Sequence, residues 1–588
     1  MVYTIESFSK EKETIVMTCK ERILSNDYAD IFSDFVIPEM FDYQIPADYC
    51  YHKVLGDMGI LYLDRSSIPT ISISDASYYF IPRCYGLTQL EGSRGRNQEH
   101  DTIPLMKSGI LSTQGKPLNL TGKDVTIGFI DTGIQYEREI FRDEVGRSRI
   151  TAIWDQTIQT GNPPEGFEYG SEYTQEMIQR ALESNNPREV VPSTDEIGHG
   201  TAAASVAAGS RLEENGQFIG AAPECNIVMV KLKEIKPYLR EYYLVPEGVP
   251  CYSEADIMQA IQYLQKFAKN LYRPLVICLG VGTNLGDHTG SSPLGRYLTA
   301  LSYQKSRAIV IGGGNEGNAK RHFRGEITQR LPEQDVEIRV GEKESGFLMD
   351  FWGKPPYIFS ASVRSPGGET IQWINPRIKG PQQFSFIFEN TKLTVDYTLV
   401  EPSSNSEMIR FRFEKPTAGI WTVKIRGEGS IRSGVFDLWL PITQFLQDET
   451  YFLTPDPYIT LTDPVYTMRA IGVTSYNDEN DSLYVNAGRG FSRDEQIKPD
   501  IAAPGVDIST ILGRKSGSSL AAAMTAGGIA QILEWAVVKQ NDILADSESI
   551  RNYLIRGARR NDREEYPNRE FGYGYLDIEG VFRFLAGT

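Results

Sequence analysis

The spacing of apolar positions changes twice along the chain. From about residue 120, short continuous apolar runs alternate with stretches of helical spacing. Val125 to Ile130, Ile227 to Val230, Pro274 to Leu279 and Ala308 to Ile311 read as buried strands, and Ala255 to Phe267 as a helix. Such runs predict an α/β fold, a parallel sheet with helices on both faces. Between about 326 and 450 the period becomes two. Val336, Ile338 and Val340 alternate with polar residues, as do Phe384, Phe386 and Phe388, then Leu393, Val395, Tyr397 and Leu399. Ile409, Phe411 and Phe413, Trp421, Val423 and Ile425, and Phe436, Leu438 and Leu440 continue the series. Turns rich in Gly, Pro and Asn separate these strands with no helix between them, which predicts a β-sandwich or jelly roll. The α/β pattern resumes at Ile471, so the β unit reads as inserted.

Residues 1 to about 90 mix short apolar segments with acids. A strand-like end, Tyr78 to Ile81, runs into Arg83-Cys84-Tyr85-Gly86-Leu87-Thr88-Gln89. The polar stretch Leu90 to Asp101 then reads as an exposed linker. The expected division is an N-terminal α+β unit at 1–89, the α/β domain in two parts at 90–325 and 451–588, and the inserted sandwich at 326–450.

Composition narrows the function. With 588 residues, 23% charged and 40% hydrophobic, long disorder, collagen and coiled coil are excluded as the main architecture. A net charge of −17 argues against nucleic acid or an anionic membrane as partner. The opening MVYTIESFSKEKETIVMTCK has no basic region leading into an apolar one, so we expect synthesis in the cytoplasm without a signal peptide. Leu520 to Val538 is the richest apolar run, but Thr525, Gln531 and Glu534 interrupt it, and no membrane span is expected. Cys19, Cys50, Cys84, Cys225, Cys251 and Cys278 form no CxxC pair and are expected as reduced thiols.

There are five histidines, His52, His100, His199, His288 and His322. No HExxH, zinc-spaced Cys/His cluster, Walker A motif or GxSxG is present, and no metal or cofactor is expected. Asp131-Thr132-Gly133 ends the first strand, and no second D-[ST]-G exists to supply the paired carboxylates of an aspartic protease. Gly198-His199-Gly200-Thr201 opens a small-residue helix. Gly314-Asn315-Glu316-Gly317 follows a strand. Ser516-Gly517-Ser518-Ser519-Leu520-Ala521 opens a long apolar helix. Singly these are a turn cap, a structural histidine, a turn former and an N-cap. Together, strand ends and helix starts converge at the carboxyl edge of a parallel sheet. The roles expected there are Ser519 as nucleophile, His199 as proton acceptor and Asp131 as its orienting partner. Asn315 and the Ser519 N–H would bind the oxyanion.

Asp, His, Asn and Ser in that order, within DTG, GHGT, GNEG and GSSLAA, resemble the subtilisin-like serine proteases (subtilases, the S8 family). Gly220-Ala221-Ala222-Pro223 and Lys498-Pro499-Asp500-Ile501-Ala502-Ala503-Pro504-Gly505 add to the resemblance, which covers about 120–325 and 455–588. Ser518, Leu520 and Ala523 stand where that family usually has Thr, Met and Pro, and none of them is a reacting group. The resemblance implies a protein substrate pairing with Leu279, Gly280, Val281 and Gly282. It also implies that residues 1–89 are a prodomain whose last strand is the first substrate. Self-cleavage is then expected after Gln89, at the strand-to-linker transition, with the cut prodomain remaining bound. The unexported start, the prodomain and the β insertion between Asn315 and Ser519 narrow the resemblance to the clostridial Csp germination proteases. That implies spore association and a cortex hydrolase precursor as substrate. Two further readings stay open: a catalytically silent regulator or scaffold in germination, and a general intracellular subtilase of a gut Firmicute.

Overall fold

The β-branched runs gather into one sheet because neither of their faces meets water. The structure is a computed structural model describing residues 17–34, 50–55, 58–67, 71–73, 81–92, 102–212, 218–376, 380–429 and 433–587. Among these residues the largest sheet has nine strands. Eight follow in the order Ser482–Leu483, Ile471–Asn477, Arg307–Gly312, Leu275–Leu279, Thr126–Asp131, Asn226–Lys231, Ile150–Asp155 and Ser171–Thr174. The ninth, Ile501–Pro504, pairs with Ile471–Asn477. Ser482–Leu483 and Ser171–Thr174 are antiparallel to their neighbours, and every other pairing is parallel.

Alternate residues of the sheet feed two cores. Ile127, Phe129, Ile227, Met229, Cys278 and Val310 pack with helices His199–Ala208 and Ser518–Leu533. Ile130, Val228, Ile277 and Ile309 pack on the other face with helices Glu254–Asn270 and Pro293–Leu301. Every residue of Ser518–Leu533 is buried, and a π turn, Glu534–Val538, continues it. By length and composition Ser518–Val538 could cross a bilayer, but 83% of its apolar stretch is buried in protein. Its alanines and glycines let it lie close against the equally small-residued His199–Ala208.

The N-terminal region has helix Cys19–Leu24 and a three-stranded antiparallel sheet ordered Tyr28–Asp34, Met58–Asp64, Tyr51–Leu55. The expectation of six reduced thiols is corrected here: Cys19 and Cys50 form a disulfide, with Cα atoms 5.1 Å apart. The helix folds back against the sheet edge and brings the two together, while the other four thiols are buried and free. This sheet packs on helix Glu254–Asn270, where the Gln259 amide donates to the Tyr62 hydroxyl at 2.9 Å. Lys236 pairs with Asp30 at 3.0 Å. Most of the expected strand Tyr78 to Ile81, and residues 93–101 of the expected linker, lie outside the described residues.

The period-two segment forms two antiparallel sheets. One is ordered His322–Thr328, Ser433–Trp439, Gly346–Gly353, Glu407–Glu414, Thr391–Thr398, Gln382–Phe386. The other is ordered Thr370–Ile371, Phe359–Arg364, Gly419–Gly427, Glu333–Val340, Tyr451–Phe452. Their facing sides share a core that includes Phe351, Phe411, Trp421 and Phe436. The sheets run from His322 to Phe452, slightly beyond the expected 326–450. Phe388, read as the end of an alternating strand, is 90% exposed in the turn that follows Phe386. Gly346–Gly353 is buried along its whole length because both of its faces are covered. Leu348 packs with Ile31, Cys84 and Tyr243, and Trp352 joins the main α/β core.

Between them, Asp350 takes a two-pronged bond from Arg410, at 2.8 and 2.7 Å, and both side chains are under 5% exposed. The same guanidinium donates to the Tyr242 hydroxyl at 3.0 Å. Arg410→Ala strands the Asp350 carboxylate in this interface and should destabilise the protein by about 3–5 kcal/mol. Replacing both partners by apolar residues, Asp350→Leu with Arg410→Met, should cost much less. Denaturation midpoints of the two variants and the parent test this, and an unchanged midpoint for Arg410→Ala would count against it.

Candidate active site

Asp131 is the last residue of strand Thr126–Asp131, and its carboxylate is 2% exposed. The backbone N–H of Thr132 donates to its Oδ1 at 2.7 Å. His199 is the first residue of its helix, with Nδ1 2.7 Å from Asp131 Oδ1 and 2.9 Å from Oδ2. This contact makes Nδ1 the donor and leaves Nε2 to accept. Nε2 lies 3.0 Å from Ser519 Oγ. Ser519 is the second residue of helix Ser518–Leu533, held by the buried helix behind it. The sequence-expected Asp131, His199 and Ser519 thus meet in one hydrogen-bonded row. Burial works to lower the pKa of His199, but the charge and hydrogen bond of Asp131, helped by the Thr88 carbonyl and Asp195, leave it raised.

Asn315 sits in the turn after strand Arg307–Gly312. Its Oδ1 accepts from the Ser518 N–H at 3.0 Å, which fixes the amide and turns Nδ2 toward the cleft. Nδ2 donates to the carbonyl of Gln89 at 2.7 Å.

The cleft is filled by the chain itself. Strand Cys84–Leu87 lies between Tyr252–Ser253 and Val281–Gly282, antiparallel to both. Leu87 is opposite Val281, Gly86 opposite Gly282, and the Thr88 N–H donates to the Gly280 carbonyl at 3.1 Å. The chain's own segment thus pairs with Gly280, Val281 and Gly282, three of the four residues expected to meet a substrate. Leu279 differs: it is fully buried, paired with Ile130 and Ile311 inside the main sheet. A Cβ on Gly280 would strike Asp131 Oδ2 and stand 2.9 Å from the His199 ring, so that position has room only for glycine. Beyond Gln89, Glu91–Gly92 pairs antiparallel with Gly513–Ser516. Residues 84–92 cross the cleft from side to side.

Thr88 crowds the reacting groups. Its carbonyl is 2.9 Å from His199 Nε2 and 3.2 Å from Ser519 Oγ, and its hydroxyl also meets Ser519 Oγ. Upstream, Arg83 anchors the segment in a buried acidic well. Its guanidinium is 3.5 Å from Asp463, and its N–H donates to Glu254 at 3.0 Å. Burial raises Asp463 to about 7 despite the nearby arginine charge.

Three supporting residues escaped the sequence reading. Asp195 accepts from Thr132 Oγ1 and the Gly198 N–H on one oxygen, and from the Thr201 N–H and hydroxyl on the other, all within 2.8 Å. It ties the Asp131 turn to the His199 turn. An acid four residues before a helix-opening histidine was the available signal. Ser518 Oγ accepts from the Gly314 N–H at 3.1 Å, locking the Asn315 turn to the Ser519 helix. Gln444, from the inserted sandwich, donates to the Leu87 carbonyl at 2.7 Å. No sequence pattern marked it. Beside Gln89 a cleft of about 210 Å³ is lined by Gly282, Asn315, Thr443, Gln444 and Thr462, among others.

Comparison with known proteins agrees with this geometry. The subtilase family model matches residues 122–334 and 454–574, the two stretches that flank most of the sandwich. The CspB protease of Clostridium perfringens superposes with a TM-score of 0.74 at 30% identity, over 83% of this chain and 98% of that one. Two curated Arabidopsis thaliana proteins, the subtilisin-like proteases SBT3.5 and SBT3.3, are 26% and 28% identical over 218 and 222 residues. Each match takes in 34% of this chain, and the chain spans only about a quarter (26%) of the length of those relatives. The family model, the CspB superposition and the Asp131–His199–Ser519 row lead to one conclusion: the chain belongs to the subtilase family, the S8 peptidases.

Proposed function

We propose that the chain is a self-processing serine endopeptidase that cuts its own backbone between Gln89 and Leu90. The observation that carries this reading is the 2.7 Å contact between Asn315 Nδ2 and the Gln89 carbonyl, beside the His199–Ser519 pair. In the proposed reaction His199 Nε2 takes the proton of Ser519 Oγ as that oxygen attacks the Gln89 carbonyl carbon. Asn315 Nδ2 and the Ser519 backbone N–H hold the developing oxyanion at the positive end of the central helix. Asp131 keeps the imidazole oriented and stabilises its charged form. The imidazolium then protonates the Leu90 nitrogen as the peptide bond breaks, and water hydrolyses the acyl-enzyme by the same route.

The Arg83 anchor, the Lys236–Asp30 pair and the packing of Ile31 against Leu348 support retention of the cut prodomain over the cleft. Likeness to CspB supports a role in spore germination, where limited proteolysis would activate a cortex hydrolase precursor.

Ser519→Ala should leave one uncut chain of normal fold; in subtilisin itself, loss of the nucleophile costs about 10⁶-fold in turnover. A chain that still yields two fragments would refute the assignment of Ser519. The large fragment should begin at Leu90 on N-terminal sequencing, and both fragments should co-elute on gel filtration. Because His199 must be neutral to accept a proton, and its pKa is raised, the processing rate should climb with pH through a midpoint above 6.5. Asp131→Asn removes the charge that raises it and should move the midpoint down while slowing the reaction. A rate independent of pH between 5 and 9 would exclude His199 as the base.

A further inference from the structure

The inserted sandwich reaches the cleft through Ile442, Thr443 and Gln444. After strand Ser433–Trp439, the chain turns through Ile442 and the short 3₁₀ segment Thr443–Phe445. This turn is fixed from three sides. Thr443 donates its N–H and hydroxyl to the buried Glu316 carboxylate, at 3.1 and 2.8 Å. Glu316 adjoins Asn315, so the turn that aims the Asn315 amide also grips the insert. Ile442 and Phe445 are 3% and 4% exposed and pack with Ile31, Ile81, Cys84 and Leu348. The Asn284 amide donates to the Leu440 carbonyl at 3.1 Å. Gln444 leaves this rigid base with its amide committed to the Leu87 carbonyl.

Gly86 lies directly beneath. A Cβ placed there would overlap Gln444 Nε2 and would stand 2.6 Å from Ile442 Cδ1 and 2.7 Å from Gln444 Cδ. Gln444 can withdraw only by giving up its bond to Leu87, and Ile442 has packed neighbours behind it. Neither gives way without cost. Antiparallel pairing with Gly282 fixes the register, so the obstructed position is always the third residue before Gln89.

We propose that Ile442 and Gln444 form a specificity element which admits only glycine at the fourth residue back from the cut bond, counting Gln89 as the first. The substrate class is then an extended protein segment of the pattern Gly-X-X-Gln, bound through its backbone and gauged by the insert. This rests on the reading that the cleft cuts after Gln89.

The test is self-processing of the full chain, followed by pulse labelling. Gly86→Ala should slow the cut by about tenfold or more, and Gly86→Leu should leave the chain whole. Gln444→Ala should still be cut after Gln89, several-fold slower for want of the bond to Leu87. The decisive variant combines Gly86→Ala with Gln444→Ala and Ile442→Val, which removes the atoms that the new methyl group would strike. Alanine fits an extended strand, so this chain should be cut about as fast as one carrying only Gln444→Ala and Ile442→Val. If Gly86→Leu is cut at the parental rate, or the combined variant stays as slow as Gly86→Ala, the specificity element is wrong and cleavage after Gln89 stands. If the parent chain is not cut after Gln89 at all, both readings fall.

Discussion

The register of one short antiparallel pairing governs the whole site. Leu87 opposite Val281 and Gly86 opposite Gly282 decide which carbonyl reaches Asn315 and which residue faces His199. Side chains alternate across a strand, so a slip of one residue would reverse every orientation. Here it would bring Leu87 or Tyr85 under Gln444, where even a methyl group has no space. Glycine at 86 therefore acts as a ruler for the backbone as well as a gap for the insert.

That ruler is useful only on a stiff support, and the three structural units provide it by sharing surfaces. Strand Gly346–Gly353 gives one face to the sandwich core and the other to the N-terminal region and the main domain. The cleft segment is hemmed by the Tyr252–Ser253 strand, the Val281–Gly282 strand and the Gln444 turn, so the main domain and the sandwich both contribute to its position. Interiors packed at this density transmit displacement instead of absorbing it. The Glu316–Thr443 contact carries that coupling to Asn315 itself.

The central sheet and the row of Asp131, His199 and Ser519 were legible in the sequence. Their signals are local: β-branched runs that stop at a polar residue, and small-residue helices that open on one. What was missed had at most a faint local signal. Gly346–Gly353 reads as an apolar run broken by Asp350, because both faces are buried, so the alternation that marked its neighbours is absent. Leu279 was grouped with the residues after it, although the main-sheet strand ends at Leu279 and the pairing with the cleft segment begins only beyond it. The Cys19–Cys50 bridge joins residues separated by 31 positions without a motif. Asp195 had a faint signal, its place four residues before a helix-opening histidine, whereas Gln444 stands between the apolar Ile442 and Phe445 with none, and only the tertiary fold gives each a partner. Phe388 erred the other way: its apolar character continues a pattern past the end of its strand, into solvent.

The unequal grip on the two sides of Gln89 has a consequence for direction. Upstream, the segment belongs to a disulfide-linked unit, anchored by Arg83 and walled in on several sides. Downstream, among the described residues, backbone pairing is limited to the exposed Glu91 and Gly92 on the edge strand Gly513–Ser516, with the Asn486 amide donating to Glu91 at 2.8 Å and Leu90 half-buried at the margin of the core. While the chain is whole, that weak hold suffices because the tether keeps its local concentration high. In the proposed cleavage, the amine of Leu90 would be held only by this lighter grip and would leave the acyl-enzyme faster than the anchored side can. Water would then have the ester to itself. The asymmetry would act as a ratchet, suppressing religation without any conformational change in the enzyme.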